Sequence, residues 1–168
     1  MIVQAGRLLV ATPTLTDPNF SRTVIAILEH TPEDGTVGVI VNRPTDIDVL
    51  DHLSWLDGAV TDPAVVFIGG PVRREVAVGV VRDGQGVPAI VEDLDDPPAG
   101  PLRIFSGYSG WGAGQLEAEL AEDAWVVIDS EPTDTFDPDP HTLWRRVLRR
   151  QDGKIAMLAT YPTDLSSN

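Results

Sequence analysis

The segment LRIFSGYSGWGAGQLEAELAED, residues 102–123, gathers the side chains and glycines whose spacing could do chemistry. Gly107, Gly110, Gly112 and Gly114 fall within eight residues, with Tyr108 and Trp111 set among them. Glycines at that density admit positive φ and let the backbone approach another group closely. An apolar run precedes them, and a helical pattern with Leu116 and Leu120 on one face follows. The segment therefore reads as strand, Gly-rich turn, helix. A helix start leaves amide donors unpaired at the positive end of its dipole. The amides from Gly112 to Gln115 could then cradle an anion.

Three enzyme motifs are approached here and none is complete. Gly107 and Gly112 have the spacing of a phosphate-binding loop, but Ala113 and Gly114 stand where a lysine and a hydroxyl are needed. Gly110, Gly112 and Gly114 give G-x-G-x-G in place of the dinucleotide pattern G-x-G-x-x-G, although Asp129 sits where a ribose-binding acid could. Around Ser109 a nucleophile elbow would need glycine at 111, where this chain has Trp111. His30, His52 and His141 lack a helical metal-binding spacing and read as packing or surface residues. No metal or cofactor is expected.

Two other strand ends carry turn chemistry. Asn42 and Arg43 precede Pro44, which holds the chain extended. Gly69 and Gly70 precede Pro71. Loops at neighbouring strand ends tend to gather into sites. Arg22, Asn42, Arg43, Gly69, Gly70, Tyr108, Trp111 and Gly112 are thus the candidate binding residues, and the loops 42–43, 69–70 and 108–112 are expected to line one concavity. The arginines at 145, 146, 149 and 150 read instead as a helix end that complements the dipole and is solvated.

The elements that must position these residues are short. Runs at 7–11, 23–28, 37–41, 65–68, 76–81, 102–105 and 125–128 are continuously apolar and rich in Val and Ile, which predicts strands buried on both faces. Helical patterns cover only 49–56, 114–122 and 140–150. Three helices cannot cover both faces of a flat seven-stranded sheet, so the sheet is expected to curl on itself. Residues 31–35 read as a hairpin turn, and 84–87 and 95–100 as loops.

At 168 residues the chain reads as one domain over 1–168. It has no cysteine, which removes thiolate chemistry and suits a reducing compartment. The opening MIVQAGRLLVATP lacks a basic segment followed by a long apolar one, so a cytoplasmic protein is expected. No apolar run is long enough to span a membrane. The net charge of −14 opposes nucleic acid, and no recognition-helix pattern is visible, so direct sequence-specific DNA binding is not expected.

Five ordered blocks carry a resemblance. They are GRLLVATPTLTDPNFSRTV (6–24), GVIVNRP (38–44), GGPV (69–72), GYSGWGAGQLEAELAEDAW (107–125) and KIAMLATYP (154–162). On these blocks the chain resembles the YqgE/AlgH family. The resemblance implies an α+β fold with a bifurcated, partly barrel-like sheet of about seven strands and about three surrounding helices. It implies no established catalytic residue, and some members carry a transcriptional-regulator label. The family pattern usually has Ala where this chain has Ser109, which argues against a nucleophile there. The stretch 83–102 departs from the pattern and lacks a helix common in the family. Together these readings favour a non-enzymatic binding or regulatory module, with a protein partner or a small anionic ligand. The alternative is an enzyme acting on an anionic small molecule held by Arg43, Arg22 and the 112–115 amides.

Overall fold

A computed structural model describes residues 2–162; Met1 and 163–168 of the expected single domain lie outside the described residues. Nine strands form one sheet that divides at its eighth strand. One branch holds β1 (Leu8–Ala11), β2 (Val24–Thr31), β3 (Gly35–Ile40) and β9 (Trp125–Ile128), all antiparallel, in the order β3-β2-β1-β9. The other holds β4 (Pro44–Asp48), β5 (Val65–Ile68), β6 (Val72–Arg82) and β7 (Pro88–Ile90). The strand β8 (Leu102–Trp111) belongs to both. Its first half pairs with β6 on one edge and with β5 on the other, and its last three residues pair with β3.

This is the α+β, bifurcated architecture expected, with all seven anticipated strands and two short additions, β4 and β7. Residues 31–35 close the β2–β3 hairpin as read. The continuous apolar runs are explained by burial on both faces. Leu8, Val10, Val24, Ala26 and Val39 pack under α2 (Leu143–Arg149), through Leu143, Trp144, Val147 and Leu148. Leu9, Ala11, Ile25, Ile27 and Ile40 face the other way, onto Trp111, Trp125 and Leu116 of α1 (Gln115–Ala121). A third cluster joins Val49 and Leu56 to Val81, Leu102 and Ile104.

Three expectations need correction. The helix read at 49–56 is two single 3₁₀ turns, Val49–Asp51 and Ser54–Leu56, because Asp48 caps a turn that breaks at His52 and Leu53. The Gly-rich turn is shorter than it looked. Strand β8 runs through Gly107 and Gly110 to Trp111, and only residues 112–114 turn into α1. A short helix, α3 (Gly153–Met157), follows α2 where none was read.

One buried cation sits near the start of the shared strand. Arg103 of β8 is fully buried. Its Nη1 donates to the carbonyls of Thr135 and Asp137 (both 3.1 Å), and its Nη2 to that of Asp62 (2.7 Å). The guanidinium also lies 4.4 Å from the Phe67 ring centroid. Burial pulls its pKa down to about 10, against the charges of Asp137 and Asp62. The same loop is gripped from α2. Arg146 bonds Asp137 bidentately (2.8 and 2.9 Å), and Arg150 does so with Asp134 (2.9 and 2.8 Å). Burial alone would raise the Asp137 carboxyl, but the Arg146 bonds, the Asp139 amide and the two nearby guanidinium charges outweigh it and hold it below its ordinary value. Two of the four clustered arginines therefore serve the fold internally.

Replacing Arg103 by Met should keep the volume but strand three carbonyls. We expect a loss of about 3 kcal/mol or more in a urea unfolding curve. An unchanged midpoint would show that the arginine contributes little.

Candidate functional site

The glycines singled out in the sequence serve strand contact. A Cβ on Gly69 would lie 2.3 Å from the Gly107 carbonyl oxygen, and one on Gly70 would lie 2.2 Å from that of Tyr108. Gly107 itself has φ +69°, and a Cβ there would meet the Val72 carbonyl at 2.6 Å. Close approach is thus made to neighbouring backbone. Ser109 is fully buried, and its Oγ donates to the Gly69 carbonyl (3.1 Å).

Tyr108 and Trp111 diverge from that seam. Tyr108 packs on the α2 side of the sheet and Trp111 on the α1 side. Trp111 is a core residue, tilted against Phe20 and edge-on to Trp125 (centroids 6.1 and 5.8 Å). Its Nε1 donates to Glu119 (2.8 Å). The Trp125 Nε1 faces the same carboxyl but falls outside hydrogen-bond geometry there. Burial pushes the Glu119 carboxyl up, against the pull of these indoles. The Gly112 amide donates to Gln115 Oε1 (3.1 Å), and the Gln115 amide donates to the Gly112 carbonyl (3.1 Å).

Asn42 and Arg43 gather on the loop of residues 17–22. Asn42 accepts from the Val24 amide and donates to the Arg22 carbonyl, both at 2.9 Å. Arg43 donates to the carbonyls of Pro18, Asn19 and Ser21 at 2.8–2.9 Å. Burial lowers its pKa, and neighbouring Arg74 adds to that effect. These side chains hold the loop's shape. Arg22 points elsewhere, stacking on Trp144 at 4.4 Å and donating to the carbonyls of Tyr161 and Pro162. Arg145 approaches the same indole (5.7 Å) and donates to Ala159 and Tyr161.

That pair of arginines fixes one wall of a pocket that none of the eight candidates lines. Thr12, Pro13 and Thr14 follow β1; Asp123, Trp125 and Val126 come from the entry to β9; Lys154, Ile155, Leu158 and Tyr161 close it. The cavity is about 310 Å³ and its walls are mainly apolar. The Thr12 hydroxyl donates to the Asp123 carbonyl (2.6 Å) and lies 2.7 Å from that of Thr14. Asp123 adopts φ +59°, which brings its carbonyl back to the threonines. Among the described residues Lys154 and Asp123 are the only charged ones in the lining. Among the described residues the Lys154 ammonium has no hydrogen-bond or ion-pair partner.

A sequence profile of the AlgH-like family matches residues 8–156, most of the chain and three of the pocket's segments. The chain belongs to this family. A UPF0301 protein of Streptomyces coelicolor is 52% identical to this AlgH-like chain, over 97% of it and 94% of the relative. One from Mycobacterium avium is 43% identical, over 99% and 92%. The crystal structure of protein DIP2367 from Corynebacterium diphtheriae matches with a TM-score of 0.86 at 29% identity, covering 96% of this chain and 94% of that one. The solution structure of AlgH from Pseudomonas aeruginosa matches with a TM-score of 0.68 at 26% identity, covering 95% and 94%.

Sequence reasoning passed over Thr12, Thr14, Lys154, Ile155 and Leu158. The available signals were that they sit in blocks carrying the family resemblance and that Lys154 is the chain's single lysine.

Two substitutions check this account. Ser109→Ala should cost about 1 kcal/mol or less, because the Gly69 carbonyl keeps the Ile40 amide as donor. Glu119→Gln retains an oxygen for Trp111 and removes the partly buried charge. Because folding raises the Glu119 pKa, wild-type stability from this group is lost as pH rises through the folded value. The variant should therefore gain on the wild type in thermal melts from pH 4 to pH 8, with the smallest gap at the acid end. A gap that narrows as pH rises would contradict this.

Proposed function

We propose that this AlgH-like protein acts by binding, not by covalent chemistry, and that its ligand pocket is the cleft between residues 12–14, 123–126 and 154–161. The observation that carries the reading is the cleft itself. Three separated chain segments build an apolar cavity of about 310 Å³, at the lower end of the size of small-ligand sites. Its rim is tethered by Arg22 and Arg145 through the Tyr161 carbonyl.

The state of the residues considered for an enzyme favours the same reading. Arg43 is spent on three backbone carbonyls, and Ser109 is sealed against Gly69. The Gly112 and Gln115 amides are bonded to each other's residue. A group must be free to meet a substrate before it can act on one. Arg22, through the pocket wall, is the sequence candidate closest to this function. A regulatory role would then run through an occupied pocket or a bound protein partner in the cytoplasm, without direct reading of DNA.

The test is a fragment screen followed by amide chemical-shift mapping. Hits should cluster on Thr12, Thr14, Trp125, Ile155 and Leu158. Ile155→Glu, which places a charge on the apolar wall, should weaken them at least tenfold while the protein keeps its fold. Hits that map instead to residues 42–43, 69–70 and 108–112 would refute this pocket and restore the glycine-seam site.

A further inference from the structure

Building on the pocket reading above, we infer that the ligand is a monocarboxylate with an apolar body, its acid group set against Lys154. The pocket's interior is made by Pro13, Trp125, Val126, Ile155 and Leu158, which suit an aliphatic or aryl-alkyl group. Among the described residues its lining contains one cation, Lys154, and no hydrogen bond or ion pair engages it. Arg7, Arg103, Arg146 and Arg150 are bound to carboxylates or carbonyls; Arg73 and Arg149 also lack a partner among the described residues, but neither lines the pocket. An ammonium left free beside an apolar cleft in a chain of net charge −14 offers an anion its point of attachment.

The same lining limits how much negative charge can enter. Asp123 is a pocket residue, and a dianion such as a phosphate ester would meet it as well as Lys154. A single carboxylate at the rim balances the lysine without a second charge to place. The threonine pair adds hydroxyl oxygens at the lip that can accept from a donor on the ligand.

The test uses the full chain and its single lysine. The protein is reductively methylated with ¹³C, so that Lys154 gives one dimethyl-lysine resonance beside that of the N-terminus. 4-Phenylbutyrate and 4-phenylbutanol are then titrated, with inorganic phosphate as a third probe. We expect the acid to bind about fivefold more tightly than the alcohol and to move the Lys154 resonance. In Lys154→Gln, an exposed change that should leave the melt intact, the acid should lose that preference. Phosphate should move nothing in the pocket. If acid and alcohol bind alike, if the preference survives in Lys154→Gln, or if phosphate competes with the acid, the carboxylate assignment falls while the pocket stands. If neither organic probe shifts the amides of residues 12–14, 125 and 154–158, the pocket reading falls with it.

Discussion

A guanidinium with no water around it must find partners for its donors, and Arg103 finds them on two loops far apart in the chain. The Asp62 carbonyl lies before β5, and the Thr135 and Asp137 carbonyls lie before α2. Neither loop has a regular ladder to hold it. Both are fixed because leaving a buried charge half-solvated costs more than ordering the backbone around it. The Phe67 face completes the shell on β5, and only Nε is left without a partner. Since Arg103 lies on the strand common to both branches, this one cation ties that strand to both loops.

From that point the remaining layers follow. The 134–139 loop, held below by Arg103, presents Asp134 and Asp137 upward to Arg150 and Arg146. Those bonds seat α2, whose apolar stripe covers one face of the β3-β2-β1-β9 branch. Trp144 on that helix donates to the Ala11 carbonyl and carries Arg22 and Arg145 on its ring. A chain of contacts thus leads from a buried charge to the pocket wall at Tyr161.

The fold was legible because its strongest signals are local. Continuous Val and Ile runs could only be strands covered on both faces, and the stripe at 143, 144, 147 and 148 could only be a packed helix. The weaker signals misled where tertiary context decides. Glycines at 69, 70 and 107 satisfy one sequence criterion whether the backbone they admit belongs to a ligand or to a neighbouring strand. Here a neighbouring strand takes the space. Asn42 and Arg43 looked like open polar groups, yet a loop 20 residues upstream consumes their hydrogen bonds. The pocket residues were illegible for the opposite reason. Thr12, Trp125 and Ile155 carry no motif, and only folding brings them together.

The β6–β7 hairpin reaches outward from the divided sheet. β7 pairs with β6 alone, and the tip at residues 83–87 closes on the Asp83 carboxylate, which accepts from the Gln85 and Val87 amides. Gly84 has open space on all sides. An addition at that tip displaces no ladder and no core contact, so chain length can change there at little cost to stability. The matches to relatives run over 184 and 185 positions, more than the 168 residues of this chain, and an insertion at this tip would leave β8 and its arginine in place. Tolerance of added length and the fixing of the core are thereby assigned to different parts of one sheet.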